Sequence, residues 1–238
     1  NTKGMFQKKI EVSNITYSYP DTVKPTLSDF SIVINKGESL GFIGSSGSGK
    51  STLIDCILGL LPPELGKIEV DGENIGKNLR AWQDQIGYVP QAIYLTDDSL
   101  RRNVAFGFSN AQIDEDAVIR AIRAAQLDVF VDSLPDGLDT VVGEHGVRLS
   151  GGQRQRIGIA RALYHDPGVL VLDEATSALD SATEIEVMQA ITALQGSKTI
   201  LIVAHRLSTL EGCDRIYSME EGRIAKEGTP AELFSIIR

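Results

Sequence analysis

No apolar run in this 238-residue sequence approaches the ~18 residues that a membrane-spanning helix needs, so it offers no candidate span. Cysteine is scarce as well. Cys56 and Cys213 are the two present, and neither has a metal-ligand or Cys-x-x-Cys spacing. Both are expected to be reduced thiols. Positive charge is in deficit, with 23 basic residues against 32 acidic and a net charge of −9. That balance argues against non-specific nucleic-acid binding and against loose docking on anionic lipid. No internal repeat, low-complexity linker or signal-peptide pattern is visible. The chain opens at Asn1, with its first methionine at Met5. Such a start fits either a piece of a longer polypeptide or a short residual tag. The composition is 42% hydrophobic and 23% charged, ordinary for a globular protein. The length suits one larger domain or a core with a subdomain.

Periodicity then orders the chain. Residues 8–19 alternate apolar and polar, as a half-buried strand does. Leu27, Phe30, Ile32 and Ile34 predict a second strand or pair of strands, and 39–43 a short buried one. A Gly/Ser-rich loop at 44–51 leads into a helix expected from Thr52 to Leu60. Further strands are expected at 66–70 and 86–90, the first ending at an Asp71-Gly72 turn. A helical pattern covers about 98–165. The uniformly apolar segments 169–172 and 199–204 predict strands buried on both faces, as in a parallel sheet, with a helix at about 181–195 between them. The fold class is therefore α/β: a parallel-sheet nucleotide core, an antiparallel β part at the N-terminal side, and an inserted helical subdomain.

Three motifs carry the chemistry. Gly44-Ser45-Ser46-Gly47-Ser48-Gly49-Lys50-Ser51 matches G-x-x-x-x-G-K-[ST] between a strand and a helix. Its glycines let backbone N–H groups curl around phosphates, and the helix start adds its positive dipole end. Lys50 is expected on the β- and γ-phosphates and Ser51 on Mg²⁺. The apolar strand ending in Asp173-Glu174 suits a magnesium partner followed by a base for the attacking water. Taken alone, such a pair is usually a solvated strand end. Leu149-Ser150-Gly151-Gly152-Gln153 is a Gly-rich turn before a helix, hence a second anion site. A simple helix cap at Ser150 is its competing reading. One nucleotide does not need two cradles in one chain, so the second is expected to serve another subunit.

The 149–153 turn, the run Arg154-Gln155-Arg156-Ile157 after it, the Asp173-Glu174 strand end, and Ala204-His205-Arg206-Leu207-Ser208 follow one another in an order and spacing that resembles the nucleotide-binding domains of ABC transporters. The resemblance covers essentially the whole chain. It implies a P-loop ATPase, 1–238, with ATP and Mg²⁺ as cofactors. About 1–91 and 161–238 would be the RecA-like core with its β subdomain, and about 92–160 the helical subdomain. It implies that Lys50, Gln91, Glu174 and His205 are catalytic. Gly44, Ser45, Ser46, Gly47, Ser48, Gly49, Lys50, Ser51 and Thr52 would hold the nucleotide, with Ser150, Gly151, Gly152 and Gln153 reaching it from a second copy. Ser51, Gln91 and Asp173 would serve the metal. Tyr19 resembles the adenine-stacking aromatic; a core tyrosine on an edge strand is its competing reading, and Tyr17 is the alternate stacker. Asp180 is similar to the family's aspartate at the dimer interface. His145 and His165 are read as ordinary surface histidines. The segments 98–107 and 142–148 resemble the exporter branch, and 87–98 resembles flippases for lipid-linked oligosaccharides. The resemblance implies a head-to-tail dimer, with a homodimer favoured, transmembrane domains of an exporter, no nucleic acid, and a place on the cytoplasmic face of the inner or plasma membrane. The alternative is a soluble ABC ATPase acting on nucleic acid or the ribosome; the acidic balance disfavours it.

Overall fold

The computed structural model describes residues 6–236. They fall into two units: the chain up to Ile86 together with the chain from Gln195 onward, and Gly87–Leu194.

The first unit begins with β1 (Lys9–Tyr17), whose Ile10, Val12 and Ile15 are buried. Asn14 adopts φ 49°, and the pairing register shifts there, a bulge that keeps Ile15 facing inward. β2 (Leu27–Asn35) is one strand and pairs antiparallel with β1, Val12 opposite Ile32. β3 (Ser39–Ile43) is almost wholly buried and runs into α1 (Lys50–Ile57). The helix starts two residues before the expected Thr52, because the end of the Gly-rich loop is already helical. β4 (Leu65–Val70) pairs with the other edge of β1 and turns at Asp71 (φ 52°) and Gly72 (φ 86°) into β5 (Glu73–Asn74). Two consecutive positive φ angles make the tight hairpin turn that Asp-Gly favours. The order β2-β1-β4-β5 is the expected antiparallel part. α2 (Leu79–Gln83) follows, with the Trp82 indole donating to the Ile57 carbonyl at 2.7 Å.

β6 (Ile86–Val89) carries the chain from the first unit into the second. The stretch expected to be helical is broken up: β7 (Asp98–Ser99), α3 (Leu100–Val104), α4 (Glu115–Ala124), α5 (Asp128–Asp132), β8 (Val141–Val142) and α6 (Gly151–Leu163). Asp114 caps α4, accepting from Ala117 N at 3.1 Å, and the face Ala117, Val118, Ala121, Ile122 is buried. Both α3 and α4 pack on α6. The two-residue ladder β7–β8 was not legible, because pairs this short carry no period. β9 (Val169–Asp173) lies beside β6, and α7 (Ser181–Thr192) packs on α6.

The chain then returns to the first unit as β10 (Thr199–Ala204), β11 (Arg215–Glu220), β12 (Arg223–Gly228) and α8 (Pro230–Ile236). β3 lies between β10 and β11 and is parallel to both, Leu40 meeting Leu201 on one side and Arg215 on the other. β12 closes a hairpin onto β11 through Glu221 and Gly222, again with two positive φ angles. Apolar periodicity does not mark this hairpin. Its signal was the Glu-Gly pair between two short segments.

Candidate nucleotide site

In the first unit the loop 44–49 leaves the sheet at the carboxyl end of β3, where open parallel sheets bind ligands. Gly49 is the N-cap of α1 at φ 101°, and a Cβ there would stand 2.8 Å from the Thr26 carbonyl oxygen. Only glycine suits both that conformation and that space. No side chain caps α1, and its first turn holds no acid. The N–H groups of that turn and the positive end of the helix dipole are thus offered to an anion. Ser45, Ser46 and Gly47 form the exposed rim, and Ser48 is buried beneath it. Lys50 is only 4% exposed. Its ammonium donates to the carbonyl oxygens of Gly44 (2.7 Å) and Ser45 (2.9 Å) and to Ser48 Oγ (3.3 Å). A buried cation must be held by polar partners, and here they fix it under the loop.

Ser51 is exposed in the first turn of α1, and Thr52 is buried behind it. The hydroxyls of Thr52 and Tyr19 lie 3.2 Å apart. This bond sets the Tyr19 ring beside the start of α1, and at 39% exposure Tyr19 is not a core residue. Tyr17 meets it edge to face, with ring centroids 5.1 Å apart, and so buttresses it. Ala204 pairs with Ile43 in the parallel register, so His205 and Gly44 leave neighbouring strands at the same sheet edge. His205 is exposed there.

The second unit holds the remaining candidates. Asp173 ends β9 and accepts from the Tyr88 hydroxyl at 3.1 Å. Glu174 follows at φ 53°, an uncommon conformation for a non-glycine residue and one that clusters at functional sites. The turn after it is tied down. Ser177 N donates to the Glu174 carbonyl at 3.1 Å, and the buried Thr176 hydroxyl donates to Glu184 at 2.7 Å. The Gln91 side-chain amide donates to Ser177 Oγ at 3.0 Å. Asp180 caps α7, accepting from Ala182 N and Thr183 N at 3.1 Å and from the Thr183 hydroxyl at 2.6 Å. The Thr183 hydroxyl, then its amide, hold the Asp180 carboxyl below the usual carboxylate range. The 149–153 turn forms the N-terminus of α6. Ser150 Oγ accepts from Gln153 N at 3.1 Å, and Gln153 Oε1 accepts from Ser150 N at 2.9 Å, a reciprocal capping box. Gly152 lies against Thr183 of α7.

A family sequence model described as ABC transporter matches residues 27–177, well over half of the chain. The chain belongs to the ABC transporter family. This ABC ATPase domain is 44% identical over 223 residues to the ATP-dependent lipid A-core flippase of Cupriavidus pinatubonensis, a match covering 93% of the chain and 38% of the flippase. It is 41% identical over 226 residues to ABC transporter B family member 21 of Arabidopsis thaliana, covering 94% of the chain and 17% of that protein. Among solved structures it is similar to a bacterial Atm1-family ABC exporter with ATP bound, with TM-score 0.84 and 33% identity over 98% of this chain and 41% of that one. The chain therefore spans well under half the length of these relatives.

Several residues of the ABC domain that organise the second unit escaped the sequence reading. Gln155 is buried on α6; its signal was a polar residue in the helical series Gly152, Gln155, Ile159. Asn103 is wholly buried and binds the backbone of Thr96, Asp98 and Ser99. Arg161 donates to the carbonyls of Asn103 (2.8 Å) and Tyr94 (3.0 Å) and lies over Phe106, and burial pulls it below the ordinary guanidinium value. His145 is exposed, as expected of a surface histidine; its backbone N–H donates to Asp97 Oδ1 at 3.0 Å, and its Nδ1 lies 2.6 Å from Asp97 Oδ2. With the β7–β8 ladder, this pair brings the segments 94–99 and 141–147 side by side. His165 stays exposed, edge-on to Tyr164.

Proposed function

We propose that this domain hydrolyses ATP within a head-to-tail dimer and so drives export or flipping of a substrate through transmembrane domains. The observation that carries the reading is the pair of Gly-rich helix starts in one chain. One has a buried lysine and no side-chain cap; the other is the 149–153 turn at α6. The ATP phosphates take the first, with Lys50 as counter-charge and Tyr19 stacked on the base. A second copy supplies Ser150, Gly151, Gly152 and Gln153, which makes ATP the adhesive of the dimer. Glu174 is the base for the attacking water, and Gln91 orients that water. His205 contacts the γ-phosphate. Ser51, Gln91 and Asp173 offer hard oxygen donors of the kind Mg²⁺ takes alongside phosphate oxygens. Mg²⁺ would neutralise charge on the transferred group.

The division into a core with its β subdomain, about 1–91 and 161–238, and a helical subdomain, about 92–160, is part of the same proposal. So is a place on the cytoplasmic face of the membrane, with two identical copies. The exposed Tyr94 and Glu144, on segments that the β7–β8 ladder and the Asp97–His145 pair bring together, are the surface proposed to meet the membrane domain. The flippase names of its relatives favour a lipid-linked cargo. A soluble ATPase on nucleic acid is disfavoured by the net charge of −9. The test is Glu174→Gln. It is expected to bind ATP, to lose roughly 10²–10⁴-fold in turnover, and to elute as a dimer only when ATP is present. Near-wild-type turnover would sink the assignment of the base, and an ATP-bound monomer would sink the dimer.

A further inference from the structure

One buried amide holds three of these segments together. Gln155 sits one turn into α6 and is 6% exposed. Its Nε2 donates to the Gln91 backbone carbonyl at 2.9 Å and also to the Ala175 carbonyl. Gln91 opens the loop after β6, and Ala175 directly follows Glu174. The orientation of the amide is unambiguous, because the flipped form would set its oxygen against two carbonyl oxygens. The Oε1 atom is buried and has no hydrogen-bond partner. An unsatisfied buried acceptor costs about 1–3 kcal/mol. A hydrocarbon side chain of similar volume would avoid that cost, so packing alone does not account for an amide here.

We infer that Gln155 is a positioning residue for ATP hydrolysis. It fastens the Gln91 loop and the Glu174 turn to the helix whose N-terminus carries Ser150 and Gln153. The two residues that handle the attacking water are thereby held in register with each other and with that helix start. Its two hydrogen bonds end on main-chain carbonyls, so they set where the backbone lies and do not engage the Gln91 and Glu174 side chains. The inference rests on the reading of Gln91 and Glu174 given above.

Three variants separate the two. Glu174→Gln tests the reading itself. Gln155→Leu keeps the bulk and removes both bonds. A misplacement of about 1 Å can cost on the order of 10²-fold in rate, so kcat is expected to fall about 10- to 100-fold while KM for ATP stays within about twofold. Gln155→Glu supplies a readout that a merely structural role would not move. Its carboxylate would face two carbonyl oxygens, and burial with such neighbours raises a carboxyl pKa. Only the protonated acid can donate, so kcat relative to wild type is expected to be highest near about pH 6 and to fall toward about pH 8. Should Gln155→Leu be insoluble, this pH ratio decides. Unchanged kcat in a folded Gln155→Leu, or a flat pH ratio in Gln155→Glu, overturns the positioning role while an inactive Glu174→Gln leaves the wider reading standing. An active Glu174→Gln would remove the base on which both rest.

Discussion

The helix starts at α1 and α6 look alike in sequence, each a run of Gly and Ser before a helix, yet they are finished differently. α1 begins at Gly49 with no side-chain cap and no acid in its first turn, and a buried ammonium lies beneath its loop. α6 begins at Ser150, whose hydroxyl and the Gln153 amide close a capping box on each other. The first end is built from main chain, with conformations that only glycine takes without strain, and no side chain caps it. The second carries a reciprocal side-chain cap on its Ser150 and Gln153 N–H groups. The difference is between a helix start with no side-chain cap, at α1, and one with a local cap, at α6. It also separates two kinds of mutational sensitivity: at α1 the backbone and one charge matter, whereas at α6 a side-chain bond does.

The largest effect that would sharpen this contrast is expected from Lys50→Ala. Hydrogen bonds to charged groups contribute about 1.5–3 kcal/mol each, so ATP affinity is expected to fall about 10- to 100-fold, measured by fluorescence titration or calorimetry. Unchanged affinity would mean that the backbone cradle alone binds phosphate. Next comes Gly49→Ala, which removes no hydrogen bond. The strained φ and the Thr26 carbonyl oxygen 2.8 Å from the new Cβ are expected to cost about 1–3 kcal/mol of stability in denaturant unfolding. A neutral result would show that the loop relaxes and that the α1 end is less rigid than its geometry indicates. The smallest effect is expected from Ser150→Ala. Loss of the cap is expected to cost about 1 kcal/mol of stability and to leave monomer ATP affinity as it was, while steady-state hydrolysis falls. A fall in monomer affinity equal to that of Lys50→Ala would erase the distinction between the two ends.

Much of this was legible before any coordinates. The apolar runs at 39–43, 169–172 and 199–204 became β3, β9 and β10 because strands buried on both faces leave an unbroken hydrophobic signature. The break-up of 98–165 was not legible, since α3, α4 and α5 are short and their ends are decided by caps such as Asp114 as much as by period. At Tyr19 it was the fold that spoke against a core tyrosine, through its 39% exposure and its contact with the Thr52 hydroxyl.

Sequence by itself determined the chemistry: which loop is rich enough in glycine to cradle phosphate, which strand ends in two acids, and in what order the motifs follow. Those properties are local, set by residue type and by spacing along the chain. Tertiary structure alone decided which distant segments share a hydrogen bond. The Gln155 amide meets the carbonyls of Gln91 and Ala175, 64 and 20 residues away, and His145 meets Asp97 across 48. No period or propensity encodes such meetings, because they depend on how α6 packs against its neighbours, and only the folded chain fixes that packing.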